Sequence, residues 1–251
     1  MRKIALIAGC SHTAGCEIDG QLDSRYNREN SYGAVLARKL GYEPVNIAIS
    51  GSSNTGIARS IQRWFSEQYD PSQMEVFVIV GWTECNRLEV PANDIGQDYC
   101  TGNNFAADWY DTTAGDYYRV NLGWLGANAY EKSMVPGYHR FMVDNPRMLE
   151  LWSINQILLI QYFLKSINIP YLMCHTMHLL EQNDHYTPTY LKMVDTDHYY
   201  NLTATYEETF FTKYQLLGHK NTKAKYGHHN EEPHKLFAEE LYKFIKEKQD
   251  V

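Results

Sequence analysis

The chain lacks several features that point to common functions. No apolar run approaches the length of a transmembrane helix, and there is no P-loop, dinucleotide fingerprint or G-x-S-x-G nucleophile turn. Lys and Arg together number 23 against 30 Asp and Glu, which gives a net charge of −7. Nucleic-acid binding needs a basic surface that displaces counterions from phosphates. We therefore expect neither a nucleic-acid partner nor a membrane partner.

Cysteine is also scarce, and its spacing shows no pairs. The five cysteines form no C-x-x-C motif that would indicate zinc binding or redox work. Reduced thiols in a cytoplasmic compartment are the simplest interpretation. The residues from Arg2 to Cys10 are similar to a lipoprotein signal, but their apolar stretch is too short for export. We expect a buried strand there instead.

The hydrophobic pattern predicts one α/β domain that covers residues 1–251. Apolar strands alternate with amphipathic helices, which is typical of a parallel sheet. We expect a three-layer α/β/α fold with about five parallel strands in flavodoxin-like order. The predicted strands cover residues 4–8, 44–49, 74–80 and 171–174, and the predicted helices cover residues 31–40, 54–68, 145–166 and the segment that follows Asn230.

Two long irregular stretches interrupt this pattern, at residues 91–144 and 179–225. They hold much of the aromatic content of a chain with 20 Tyr and 5 Trp. Such rings suit a carbohydrate surface, and they suit a small satellite core or a subunit contact equally well. We expect both stretches to lie over the carboxyl ends of the strands, with the first as a cap. They are also the expected route to homo-oligomer or particle assembly.

Three residues with useful chemistry follow three predicted strands. Ser11 ends the first strand, Gly51 ends the second and Thr83 lies just past the third. In a parallel sheet these ends share one edge, where such folds gather substrates. A serine hydroxyl becomes a nucleophile when a base removes its proton and donors stabilise the oxyanion. Taken singly, Ser11 also fits a helix cap and Gly51 a turn.

The order of four short segments resembles the sequence blocks of the SGNH, or GDSL-type, hydrolases. Gly9-Cys10-Ser11 stands where the family has Gly-Asp-Ser, and Gly51 matches the glycine of the second block. Gly81-Trp82-Thr83-Glu84 takes the place of Gly-x-Asn-Asp, and His228 takes the place of the histidine in the last block. The two short forms Gly-Cys-Ser-His-Thr and Gly-Trp-Thr are also similar to SGNH-like proteins of bacteriophages.

The resemblance implies a serine esterase without a cofactor. Ser11 would be the nucleophile and His228 the base, and the backbone N–H groups of Ser11 and Gly51 would form the oxyanion hole with Thr83. Thr83 replaces the family's asparagine, so Asn54 or Asn86 is a candidate for the missing donor.

The family's acid position falls on Lys225, next to Tyr226, and neither side chain is a carboxylate. Losing this third member costs a serine protease about 10⁴ in kcat. Two substitutes remain open: a Ser–His dyad with a backbone carbonyl behind the ring, or an acid borrowed from elsewhere. The candidate acids are Asp195, Asp197 and Glu231.

Three neighbouring polar residues are further candidates for the site. His12 is either a contact of the substrate or oxyanion or an exposed turn residue. Arg87 either binds a substrate carboxylate or phosphate bidentately or pairs with a surface acid. His229 stands where proline is common in the family.

The leading hypothesis is an esterase that acts on a small acyl ester, with a carbohydrate O-acetyl group as a candidate. The alternative is a catalytically impaired SGNH fold used as a binding or assembly module, for instance in a virion. A third hypothesis is metal-assisted hydrolysis, although no recognised metal-ligand spacing is present. The histidines that raise this third hypothesis are His175, His178, His185, His198, His228, His229 and His234.

Overall fold

The computed structural model describes residues 1–85, 87–91, 117–121, 146–177, 187–219, 224 and 227–248. In these residues a five-stranded parallel sheet has the order β2-β1-β3-β6-β7, and β4 pairs with β5 in a separate antiparallel ribbon. The strands are β1 (Arg2–Gly9), β2 (Glu43–Asn46), β3 (Met74–Trp82), β4 (Arg87–Pro91), β5 (Tyr117–Asn121), β6 (Tyr171–His175) and β7 (Tyr199–Tyr200).

Helices cover both faces of the five-stranded sheet. In the described residues they are α1 (Ser11–Ala14), α2 (Arg25–Asn30), α3 (Tyr32–Lys39), α4 (Asn54–Glu67), α5 (Pro146–Ser166), α6 (Thr187–Leu191), α7 (Phe210–Leu216) and α8 (Glu231–Lys248), with a 3₁₀ turn at Tyr206–Glu208. The α/β class and the flavodoxin-like strand order are therefore confirmed. Within this part of the chain no helix combines the length and apolar character that crossing a membrane requires.

The sheet separates two apolar layers, and the side chains of its inner strand β1 alternate between them. Leu6 of β1 packs in the layer under α4 and α5, and its neighbour Ile7 packs in the layer under α3, α7 and α8. Successive side chains of a strand point to opposite faces, so a strand covered on both sides reads as a continuous apolar run. This is why residues 4–8 contain no polar side chain.

Several boundaries differ from the prediction. β3 runs two residues further, because Trp82 is fully buried and pairs with His175 of β6. β2 ends earlier, at Asn46, although Ile49 N–H still donates to the Gly9 carbonyl at 3.0 Å. The fifth strand, β7, is only two residues long and lies inside the second irregular stretch. Most of the first stretch lies outside the described residues.

Candidate active site

Ser11 begins a one-turn helix at the carboxyl end of β1. The turn closes at Gly15, which has φ 78°, and Cys16 N–H donates back to the Ser11 carbonyl at 2.9 Å. The helix lies directly on the strand ends, because a Cβ at Gly81 would overlap the hydroxyl groups of Thr13 and Tyr32. Glycine in β3 therefore lets the Ser11 turn sit close to the sheet.

His228 lies just before α8 and contacts a carboxylate that follows Ser11 closely in the chain. His228 Nδ1 is 2.6 Å from Glu17 Oε2, and the His228 backbone N–H points to the same oxygen at 3.4 Å. The side chains are 10% and 2% exposed. With Nδ1–H donating to the carboxylate, Nε2 keeps its lone pair and can accept a proton.

The Glu17 carboxylate is fixed by a folded loop. Glu17 has a positive φ of 64°, which is uncommon for a residue with a side chain and costs about 1–3 kcal/mol. The Glu17 N–H donates to the Gln21 carbonyl at 2.9 Å, and the Gly20 N–H donates to the Glu17 carbonyl at 3.0 Å. Buried Asn27 holds the loop from below, donating to Gln21 O at 2.8 Å. The loop thus presents the carboxylate to His228.

Two further contacts bind the His228 segment to the same region. The Tyr26 hydroxyl donates to Glu231 Oε2 at 2.6 Å, across 205 positions of sequence. The Tyr32 backbone N–H donates to His234 Nδ1 at 3.1 Å, across 202 positions. Together with the contact of Glu17, they bring the start of α8 to the edge of the sheet where Ser11 lies.

Four histidines meet at this edge: His12, His228, His229 and His234. Burial lowers the pKa of each imidazole, to about 3 for His234 and well below the usual value for His12. For His228, burial lowers the pKa while the hydrogen bond that its ring donates to Glu17 opposes part of the shift. At neutral pH the cluster is therefore uncharged, and His228 is in the form that can act as a base.

His12 is buried rather than exposed. Its ring centroid lies 4.8 Å from that of His228 and 4.7 Å from that of Phe211. Ser11, which precedes it, has a side chain that makes no hydrogen bond to any described residue. The Ser11 hydroxyl is thus uncommitted among the described residues, and the next residue in the chain, His12, packs against His228. Catalytic hydrogen bonds are often long or poorly aligned when a site is empty.

The other candidate donors lie at neighbouring strand ends. Gly51 has φ 75° in the turn between β2 and α4. Thr83 is fully buried, and its backbone is held by Asn54, whose Oδ1 accepts from Thr83 N at 2.9 Å and whose Nδ2 donates to Thr83 O at 3.1 Å. The second amide hydrogen of Asn54 is directed at Ser153 Oγ, 3.1 Å away. Asn54 supports Thr83 and is not a free donor, which corrects that alternative; Asn86 lies outside the described residues.

Met177 receives two donors from this side of the site. The Thr83 hydroxyl is 3.8 Å from its sulfur, and Arg87 Nη2 is 3.2 Å from it. The Arg87 side chain is 10% exposed, and its Nε is 3.7 Å from Glu84 Oε2. A thioether is a weak acceptor, so both donors keep most of their hydrogen-bonding capacity.

The acids named from sequence lie in other contacts. Asp195 pairs with Lys165 at 2.5 Å and with His198, and Asp197 lies 3.7 Å from Lys248. Glu231 pairs with Lys235 and accepts from Tyr26. Lys225 and Tyr226 lie outside the described residues.

Glu17 was missed by sequence reasoning. Its only signal is nearness to Ser11 in the chain, and Asp19 and Asp23 share that signal. What distinguishes Glu17 is a contact with a residue 211 positions away. The carboxylate that contacts His228 in this structure is therefore that of Glu17, which was not among the three acids named from sequence.

Metal ligation has no support from the residues that the structure describes, since no three His, Cys, Asp or Glu side chains there are arranged so that they could hold a metal ion. His175 Nδ1 is 2.8 Å from the Tyr199 hydroxyl, and its Nε2 is 3.1 Å from the Leu202 carbonyl. These contacts account for His175 as a buried structural histidine. His178 and His185 lie outside the described residues.

No family model and no curated protein matches the chain. Three solved structures that it is similar to are the psychrotrophic esterase EstA from Pseudoalteromonas sp., TesA, and the acetyl xylan esterase Est2A from the rumen bacterium Butyrivibrio proteoclasticus. Identities are 14%, 12% and 13%, and TM-scores are 0.43, 0.44 and 0.45. In the same order, the matched regions cover 97%, 97% and 98% of this chain, and they cover 97%, 98% and 64% of the other proteins.

In the described residues the fold is an α/β sandwich, with helices on both faces of a five-stranded parallel sheet. Ser11, Gly51 and Thr83 follow the carboxyl ends of β1, β2 and β3, and His228 contacts Glu17 in the loop that follows Ser11. The bacteriophage source and the particle assembly stay predictions.

Proposed function

We propose that the chain is a serine esterase that hydrolyses a small acyl ester with Ser11, His228 and Glu17 as its catalytic group. The observation that carries the proposal is the buried 2.6 Å contact between His228 Nδ1 and Glu17 Oε2. It fixes the ring tautomer that a general base needs, and the Ser11 hydroxyl has no hydrogen-bond partner among the described residues.

In the proposed reaction the Ser11 oxygen attacks the ester carbonyl while its proton passes to His228 Nε2. The tetrahedral oxyanion accepts hydrogen bonds from the N–H groups of Ser11 and Gly51 and from the Thr83 hydroxyl. Collapse breaks the ester bond, and the leaving alcohol takes the proton from Nε2. Water then repeats the sequence on the acyl-serine and releases the carboxylic acid. Glu17 stays ionised and stabilises the imidazolium that forms twice.

An acetyl group on a carbohydrate is the proposed natural ester. The stretch at residues 91–144 supplies many aromatic rings, which suit sugar surfaces. Acetylated xylan and p-nitrophenyl acetate are therefore suitable first substrates. Release of acetate from the polysaccharide would support the carbohydrate part of the proposal. Cleavage of p-nitrophenyl acetate without release of acetate from xylan would support an esterase whose substrate is not acetylated xylan.

The direct test is hydrolysis of p-nitrophenyl acetate by the protein and by Ser11→Ala and His228→Ala. Each substitution is expected to lower kcat by about 10³-fold or more, because members of such a group act as a unit. Circular dichroism of each variant checks that the fold is intact. Equal rates for all three proteins would place any activity elsewhere.

A binding or assembly module is the second candidate. It is favoured by one observation: Ser11 and His228 are not hydrogen-bonded to each other in this structure. A folded protein that retains acetylated oligosaccharide on a column, yet turns over no ester, would support this candidate against the esterase.

A further inference from the structure

Arg87 is a largely buried cation that makes few hydrogen bonds to the described residues. Among those residues its Nε and Nη1 atoms have no hydrogen-bond partner, and its Nη2 donates to the Met177 sulfur at 3.2 Å. Buried donors are nearly always paired, and hydrogen bonds of charged groups are worth more than neutral ones. An arginine left in this state is suited to an oxygen acceptor that arrives with a ligand.

The described residues balance the charge on Arg87 only in part. Within this part of the chain its ion-pair partner is Glu84, whose Oε2 is 3.7 Å from Nε, too far for a hydrogen bond, and whose side chain is 27% exposed. Arg87 interacts electrostatically with His12 and His228, and its positive charge contributes to lowering the pKa of both imidazoles. Since these imidazoles are neutral, Arg87 supplies the positive charge on this side of the described site.

Met177 connects this guanidinium to the proposed oxyanion hole. Its sulfur is contacted by the Thr83 hydroxyl as well as by Arg87. A substrate that places one oxygen on Thr83 can therefore place another acidic group on Arg87. Both donors would exchange a weak thioether acceptor for charged or partly charged oxygen.

We propose that Arg87 binds a carboxylate of the substrate, so that the preferred ester carries one negative charge on its acyl or its alcohol part. This inference rests on the proposed esterase function. The planar guanidinium offers parallel N–H groups that match a carboxylate. A single cation already facing Glu84 favours a monoanion over a phosphate dianion, which would be undercompensated in a buried site.

The first experiment compares kcat/KM for matched charged and neutral esters. The alcohol side is probed by 3- and 4-acetoxybenzoate against their methyl esters, and the acyl side by p-nitrophenyl hydrogen adipate against p-nitrophenyl methyl adipate. We expect one charged ester to be preferred by about 10- to 100-fold, the range of a charged hydrogen bond. The pair that shows the preference identifies which side carries the carboxylate.

The variants Arg87→Gln and Arg87→Lys test whether that preference belongs to Arg87. The Gln variant should bring the ratio of kcat/KM for charged and neutral esters close to one. The Lys variant should keep part of the preference, since an ammonium group carries the charge but lacks the parallel N–H groups of the guanidinium. Arg2→Gln is the matched control: Arg2 pairs with Glu43 at the opposite end of β1, so its loss should leave the ratio unchanged. A wild-type ratio near one, or a ratio that survives in Arg87→Gln, would overturn the inference.

A binding measurement separates this inference from the esterase proposal. Titration calorimetry on the Ser11→Ala protein compares 4-acetamidobenzoate with the neutral 4-acetamidobenzamide, and repeats both with Arg87→Gln added. Tighter binding of the carboxylate that disappears in the double variant supports Arg87 even if no ester is ever hydrolysed. If the two compounds bind equally and the wild-type protein does hydrolyse p-nitrophenyl acetate, the inference about Arg87 is refuted and the esterase proposal is not.

Discussion

Replacing Glu17 with glutamine is the perturbation that tests the proposed catalytic group most severely. The carboxylate is buried and lies 2.6 Å from His228 Nδ1, so the substitution removes a negative charge facing the imidazolium of the transition state. The amide can also donate to Nδ1, which moves the ring proton to Nε2 and blocks acceptance of the Ser11 proton. Loss of the corresponding acid in a serine protease costs about 10⁴ in kcat, or about 5.5 kcal/mol. We expect a fall of about 10³- to 10⁴-fold here.

Steady-state hydrolysis of p-nitrophenyl acetate measures this loss, and its pH profile separates catalysis from structure. Glu17 raises the pKa of His228, so its removal should move the acid limb of kcat/KM to lower pH. Glu17→Asp should recover part of the rate, because it restores the charge one methylene further away. Glu75→Gln is the control, since Glu75 accepts from Lys3 and Tyr42, remote from Ser11. A folded Glu17→Gln protein with kcat within about 3-fold of wild type would refute the reasoning.

Three further outcomes follow from the same contacts. Thr83→Val should lower kcat by about 10²-fold with little change in stability, because among the described residues the hydroxyl makes only a 3.8 Å contact with sulfur, and Thr83→Ser should retain most activity. His234 has a pKa of about 3 in the folded state, against 6.5 in the unfolded state, so the unfolded state binds more protons at pH 5. The free energy of unfolding therefore decreases as the pH falls below 6.5. This imidazole alone should make the wild type about 2 kcal/mol less stable at pH 5 than at pH 8, and urea unfolding of His234→Gln at both pH values should show a difference smaller by that amount. Gly81→Ala should lower the free energy of unfolding by about 1–3 kcal/mol, because the added methyl meets Tyr32 and Thr13, and thermal unfolding would expose an error if stability were unchanged.

The sheet was predictable because its strands are covered on both faces. A continuous apolar run such as residues 74–80 has no alternative but burial, and the alternation with helices determines a parallel arrangement. Once the order of strands is known, Ser11 and Thr83 must share one edge. The fifth strand was not located, since two residues within a polar stretch carry no periodic signal.

The support around the site was not predictable in the same way. Glu17 and His228 contact each other across 211 positions, and the family pattern points to an acid three residues before the histidine. Asn54 has the chemistry of an oxyanion donor, yet both of its amide hydrogens point at Thr83 O and Ser153 Oγ. Residue type gives the chemistry that is available, and only the packed fold decides which partner receives it.

The role of the histidines also depends on packing that the sequence does not show. Their sequence pattern left a metal site open, because spacing alone does not show what each ring contacts. In the structure His12 packs against His228, and His234 accepts from Tyr32. Rings that are buried among other rings stay neutral, which suits a general base.

Labelling with a fluorophosphonate probe tests the central claim most directly, because the probe bonds only to a serine whose hydroxyl is activated by a base. The account predicts one adduct per chain, mapped by mass spectrometry to the peptide that contains Ser11. Labelling should be abolished in Ser11→Ala and His228→Ala and slowed strongly in Glu17→Gln. A folded wild-type protein that never labels, or that labels equally well without His228, would contradict the claim that these side chains act at one site.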